Sequence, residues 1–157
     1  MTKLESPGII LLISVVCVLV NVDCYPGFRK KIPNGNFVPC NCSNHASMYW
    51  VAVGHYSINE GTLRKNPFGI DFRQNGTRWT QSLCKGDSDR DGKSNGEELG
   101  DPNCTWKEGQ TPDFPATGHP GICEPIGSKF CKDRGQLFTC DCLEKGQSCP
   151  INLNEKN

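Results

Sequence analysis

Hydrophobic side chains are unevenly bunched along this chain, with one dense run near the start and then short apolar islands among glycine, proline, cysteine and charge. The run Gly8–Val20 (GIILLISVVCVLV) falls short of the ~20 apolar residues that a spanning helix wants. With Lys3 ahead of it and Val22-Asp23-Cys24 behind, it reads as a secretory signal peptide occupying residues 1–24 and cut near Cys24. Further on, Met48–Val53 (MYWVAV) is aromatic and β-branched enough for a strand. Phe68–Phe72 (FGIDF) alternates at a period of two and predicts a second strand. Thr77–Leu83 (TRWTQSL) predicts a short helix. Tyr25-Pro26-Gly27 and Pro33-Asn34-Gly35 mark turns, and Gly109–Gly121, with Pro112, Pro115 and Pro120, predicts an extended loop.

Composition sharpens this picture. The 157 residues carry 17 basic and 17 acidic side chains, and removal of residues 1–24 leaves sixteen and fifteen. Near neutrality disfavours nucleic acid or an anionic membrane as a partner, and the mature chain has no membrane span. Nine cysteines remain after the signal: 40, 42, 84, 104, 123, 131, 140, 142 and 149. Such density in a small exported chain reads as a disulfide framework standing in for a thin core. The odd number leaves a free thiol, a disulfide-linked dimer, or a cut that retains Cys24. Zinc on the Cys-x-Cys pairs 40/42 and 140/142 is the competing reading, disfavoured by the single-residue spacing. Three glycosylation sequons begin at Asn41, Asn75 and Asn103, and only that of Asn75 lacks a cysteine. The expected fold class is small, disulfide-rich, mainly β with short helices and one EF-hand-like calcium loop. Its division is a signal peptide (1–24), a main domain (25–123) and a cysteine-rich C-terminal extension (124–157).

That loop is Asp87–Glu98, DSDRDGKSNGEE. Calcium loops of this length place oxygen ligands at positions one, three, five, seven, nine and twelve, with glycine at six for the sharp turn. Those places hold Asp87, Asp89, Asp91, the Lys93 carbonyl, Asn95 and Glu98, and Gly92 stands at six. Ser94 occupies place eight, where paired sensor loops carry an aliphatic bridge, and the chain has no twin loop. Cys84 and Cys104 flank it. The expectation is therefore a structural Ca²⁺ rather than a sensor's ion.

His55 and His119 lie in Gly-His-Tyr and Gly-His-Pro-Gly, and two imidazoles brought together would offer a second site for copper or zinc. A metal-dependent extracellular enzyme or redox protein built on them is the rival functional class. No nucleophile elbow, zinc-protease helix or carboxylate pair outside the loop is present, so no enzyme is expected. Trp50, Trp79, Trp106, Tyr49 and Tyr56 are expected in the core.

In order, Tyr25-Pro-Gly-Phe, Ile32-Pro-Asn-Gly, Val53-Gly-His-Tyr, Asn66-Pro-Phe-Gly-Ile-Asp-Phe, Trp79-Thr, Leu83-Cys84, the run Asp87 to Trp106 and Gly118-His-Pro-Gly resemble the temptin family, secreted pheromone proteins of molluscs. The resemblance runs from about Tyr25 to Cys123. It implies an extracellular protein that works by association with other secreted proteins or a cell-surface receptor, as a pheromone component or carrier. It also implies a Cys84–Cys104 pair and a bond from Cys123 to Cys40 or Cys42. Closing a ring of about twenty residues, the first pair is worth ~3 kcal/mol. Arg90 departs from the family, which commonly has glycine there.

Overall fold

A computed structural model describes residues 26–41, 49–56 and 64–139 of the chain. The signal segment, Cys42 and the residues beyond 139 lie outside the described residues. Five short helices follow one another: α1 (Pro26–Arg29), α2 (Pro67–Gln74), α3 (Gln81–Lys85), α4 (Asn95–Glu98) and α5 (Lys129–Asp133). Pairing of the β type is limited, among the described residues, to isolated antiparallel bridges at Pro39 with Tyr49 and at His55 with Lys65. The mainly β expectation is thus corrected, and the two expected strands fail for different reasons.

Phe68–Phe72 lies inside α2. Its apolar ends stand four residues apart, a spacing that fits one face of a helix as well as alternate positions of a strand. The decision comes from the residues ahead of it. Asn66 is the N-cap, accepting from the Gly69 N–H at 2.9 Å, and Pro67 occupies the first turn with its φ preset. Phe68 is buried and stacks on Phe72, centroids 6.1 Å apart. The Met48–Val53 segment, from Tyr49 onward, pairs in the β manner only through the isolated Pro39–Tyr49 bridge. Trp50 N–H donates to the Val38 carbonyl (2.8 Å), and no ladder develops from it. Carbonyls that a sheet would satisfy are taken instead by Asn66, whose Nδ2 donates to Val53 (2.8 Å) and His55 (3.0 Å).

Of the expected Thr77–Leu83 helix, the structure keeps the last part. Helix α3 begins after Thr80, whose hydroxyl accepts from Leu83 N–H, and turns Leu83 and Cys84 inward. Asn34 adopts φ +52° in the expected Pro33-Asn34-Gly35 turn. From there its Nδ2 reaches the carbonyls of Leu99 (2.9 Å) and Phe114 (2.8 Å), joining the N-terminal turn to the segment behind the loop.

One core gathers Ile32, Val38, Cys40, Trp50, Val53, Phe68, Leu83, Leu99, Ile122 and Phe138. Phe138 belongs to the stretch expected as an extension, yet it is buried against Trp50 (5.6 Å between centroids) and stacks on Tyr56 (6.2 Å). Residues 124–139 therefore share the hydrophobic core of the preceding domain. The disulfides explain part of this. Cys84 bonds Cys104 (S–S 2.03 Å), and Cys123 bonds Cys131 on α5 (2.08 Å), not Cys40 or Cys42. The shorter loop, eight residues in separation, pins α5 immediately behind Cys123. Cys40 is buried in the core.

Candidate functional site

The acidic loop begins where α3 ends and finishes inside α4. Its neck is closed twice by Asn95: the backbone N–H donates to Gly86 (2.7 Å), and Nδ2 donates to Leu83 (2.7 Å). Asn95 was the expected ligand at place nine, but its amide is engaged elsewhere. Nδ2 also donates to Ser88 Oγ (3.0 Å), and Oδ1 accepts from Ser88 N–H (3.3 Å). Its side chain clamps the base of the loop. Ser94, the departure at place eight, is the N-cap of α4 in a capping box with Glu97. These hydrogen bonds from Ser94 hold the Glu97 carboxyl below its ordinary value.

Within the turn, Asp87 accepts from Asp91 N–H (3.2 Å) and Gly92 N–H (3.0 Å), Asp89 from Asp91 N–H (3.2 Å), and Asp91 from Lys93 N–H (3.0 Å). Successive left-handed residues, Arg90 at φ +62° and Gly92 at φ +101°, bend the chain so that the three aspartates converge. One carboxylate oxygen from each of Asp87, Asp89 and Asp91 lies within 4.8 Å of the others. The φ of Arg90 also accounts for the glycine expected there, since glycine meets no Cβ penalty in that region.

Glu98, at place twelve, is the last residue of α4. Its carbonyl accepts from Thr117 N–H (2.8 Å), and its side chain is fully buried. Both Glu98 carboxylate oxygens, and Asp89 Oδ2, are buried with no hydrogen-bond partner. Such groups are costly in a folded protein unless something else balances them. Burial, followed by the charges of Asp91, Asp87 and Glu124, pushes Asp89 up from 3.8 to about 8. Burial, followed by Asp89, Asp91 and Glu124, pushes Glu98 up from 4.5 to about 10. A hard divalent cation is the group that this donor set fits: it accepts oxygens only, and its charge removes the mutual repulsion. Lys93, which would contribute its carbonyl, keeps an exposed side chain.

The histidines do not form a comparable set. His119 is buried edge-to-face against Trp50, centroids 4.6 Å apart, and its Nδ1 accepts from Gly121 N–H (3.1 Å). The ring proton therefore sits on Nε2, which has no hydrogen-bond partner. Burial pushes the imidazole down from 6.5 to about 3, so it is neutral at physiological pH. Among the described residues, neither His55 nor His119 belongs to a cluster of three metal-binding side chains. Asn75, the expected glycosylation site, is half-buried, with Nδ2 donating to the Asp71 carbonyl (2.9 Å) and Oδ1 accepting from Thr80 (2.6 Å).

Asp101 stands outside the ligand positions of the loop. It is a buried hub, accepting from Trp79 Nε1 (2.8 Å), Thr105 N–H (2.9 Å) and Trp106 N–H (3.2 Å). Its contacts hold the turn that follows α4 beside the Cys84–Cys104 disulfide.

Two comparisons bear on this arrangement. The family model described as Temptin C-terminal matches residues 22–122, which includes the whole loop, Gly118 and His119. The chain belongs to the temptin family. Temptin of Aplysia californica is 46% identical over 127 residues, covering 79% of this chain and 96% of the relative. No solved structure matches. The Temptin C-terminal model ends at Ile122, one residue before Cys123.

Proposed function

We propose that this temptin-family protein is a secreted, calcium-binding recognition protein that works outside the cell through association with other secreted proteins or a cell-surface receptor, as a component or carrier of a pheromone signal. One observation carries the calcium part: Asp89 and Glu98 hold buried, unpartnered carboxylate oxygens in the twelve-residue segment where the carboxylates of Asp87, Asp89 and Asp91 converge. The ion would be held by Asp87, Asp89, Asp91 and Glu98 with the Lys93 carbonyl, and would supply positive charge to a loop that otherwise repels itself.

The role of the ion in this reading is structural. Helices α3 and α4 are five and four residues long, and their ends are tied by Asn95 and by the Cys84–Cys104 bond. A sensor opens a pair of long helices when calcium arrives, and this frame has no such pair to open. Association is supported by exposed aromatic rings: Phe37 and Tyr49, 59% and 52% exposed, meet edge to face at 5.4 Å. Aromatic side chains left in water on a small domain favour a partner surface. Among the described residues no helix is long and apolar enough to cross a membrane.

The test has two arms. Calcium titration of the purified protein, followed calorimetrically and by melting temperature, is expected to show one site and a higher melting point. An unchanged melting point with and without chelator would remove calcium from the function. Co-purification from the native secretion, repeated with Phe37→Ser and Tyr49→Ser, is expected to lose bound proteins in the variants. Equal capture by all forms would remove the aromatic pair.

A further inference from the structure

We propose that the metal site extends beyond its twelve-residue loop and that Glu124 supplies a further carboxylate ligand, so that the ion also fastens the segment after Cys123 to the loop. The proposal rests on the calcium reading above. Its starting point is the position of the Glu124 backbone, whose N–H donates to Asp91 Oδ2 at 3.4 Å. The side chain then returns toward the site. A Cβ placed on Gly118 would stand 2.7 Å from Glu98 Oε1 and 3.5 Å from Glu124 Oε2. Two carboxylates therefore border the same small space, and that of Glu98 is fully buried with both oxygens unpartnered.

Asn41 holds the Glu124 carboxylate, its Nδ2 donating across both oxygens at 2.8 Å and 2.9 Å. A carboxylate held by a neutral amide, with one oxygen bordering the Gly118 space that Glu98 also borders, is poorly placed as an ordinary surface acid. It is well placed as a ligand, because outer hydrogen bonds of this kind orient groups that bind metals. Ligand charge also sets calcium affinity, and Glu124 would add a fifth carboxylate to those of Asp87, Asp89, Asp91 and Glu98. Three parts of the chain meet there: Asn41 from the N-terminal turn, the acidic loop, and the segment that leads through Cys131 to Phe138 in the core.

The experiment uses the full secreted chain and its Glu124→Gln, Asn41→Ala and Glu108→Gln variants, the last changing an exposed acid that lies outside the loop in sequence. Calcium affinity is read by calorimetry. Terbium luminescence lifetimes count the waters left on the ion. Trypsin cleavage at the exposed Lys129, Lys132 and Arg134 reports release of the segment. Glu124→Gln is expected to weaken calcium binding by at least about tenfold, since loss of even an outer hydrogen-bond partner costs a metal site that much, to add one water to bound terbium, and to lose calcium protection from trypsin. Asn41→Ala should weaken binding less, and Glu108→Gln should match the parent. Parent-like affinity or water count in Glu124→Gln, with calcium still bound, overturns the role of Glu124 and leaves the loop reading intact. Failure of the parent to bind calcium overturns both. Should Glu124→Gln not fold, Asn41→Ala decides, and parent-like binding by it counts against the proposal.

Discussion

Gly118 lies directly against the carboxylate of Glu98: a Cβ at position 118 would stand 2.7 Å from Oε1 and 3.4 Å from Cγ. The backbone on either side cannot easily withdraw, because Thr117 N–H holds the Glu98 carbonyl at 2.8 Å. Gly118→Ala should therefore displace the carboxylate rather than the chain. We expect several-fold weaker calcium binding and a stability loss of about 1–3 kcal/mol, as for other overpacked interiors. Calcium titration and urea unfolding of the variant check this. Unchanged affinity would mean that Glu98 has no part in holding the ion.

Asp89→Asn separates the charge of the loop from its shape. The buried Oδ2 of Asp89 has no partner, so in calcium-free protein the substitution removes the cost of burying the carboxylate, or of protonating it, while preserving the hydrogen bond that Oδ1 accepts from Asp91. The calcium-free variant should melt higher than the calcium-free parent. Added calcium should then stabilise the variant far less than it stabilises the parent. Melting curves with chelator and with calcium measure both effects, and a variant that responds to calcium like the parent would exclude Asp89 as a ligand.

Stability should depend on pH in opposite senses with and without the ion. Without it, Asp89 rises from 3.8 to about 8 and Glu98 from 4.5 to about 10 on folding, so the folded state binds more protons. The penalty is absent below pH ~4 and grows as the unfolded chain ionises, through pH 8 for Asp89 and pH 10 for Glu98. Calcium competes with those protons and should stabilise more as pH rises. His119 acts in the other direction, since burial lowers it from 6.5 to about 3 and unfolded chains gain a proton below pH 6.5. Chelated protein should therefore lose stability from pH 5 to pH 9, and calcium-loaded protein should lose it mainly in acid. Denaturant midpoints across that range, with each form, settle the signs.

The acidic turn was legible in the sequence because its carboxylates are contiguous and their spacing is set by one bend. Asp87, Asp89 and Asp91 need only Arg90 and Gly92 in left-handed conformations to converge. Other parts were ambiguous for a physical reason. Phe68 and Phe72 satisfy a strand's period and a helix's at once, and only Asn66-Pro67, a helix-start signal, distinguishes them. Asn95 fitted a ligand template, yet a buried amide is worth more to the fold when both its ends are satisfied. Glu124 stood beyond any template, since its approach to Asp91 spans 33 residues and depends on the Gly118–Gly121 turn. The Cys123–Cys131 bond was missed because pairing cannot be read from spacing alone.

Asn66 ties together two regions that are paired, among the described residues, only at the isolated His55–Lys65 bridge. Its Oδ1 caps α2 through Gly69 N–H, while its Nδ2 holds the carbonyls of Val53 and His55. A hydrogen bond of this kind contributes about 1 kcal/mol, and leaving buried carbonyls unpaired costs about as much again. Asn66→Ala should thus destabilise the protein by on the order of 3 kcal/mol. Asn66→Ser and Asn66→Asp separate the two roles, because each keeps an oxygen for the cap but neither supplies the amide donor. If the clamp on Val53 and His55 matters most, both variants should stay close to Asn66→Ala in urea unfolding, with Asn66→Asp further weakened by a buried charge. Recovery of parent stability by Asn66→Asp would assign the residue to helix capping alone. Hydrogen exchange adds a local readout: loss of the clamp should expose the Tyr56 and His55 amides before those of α3, which Thr80 caps independently.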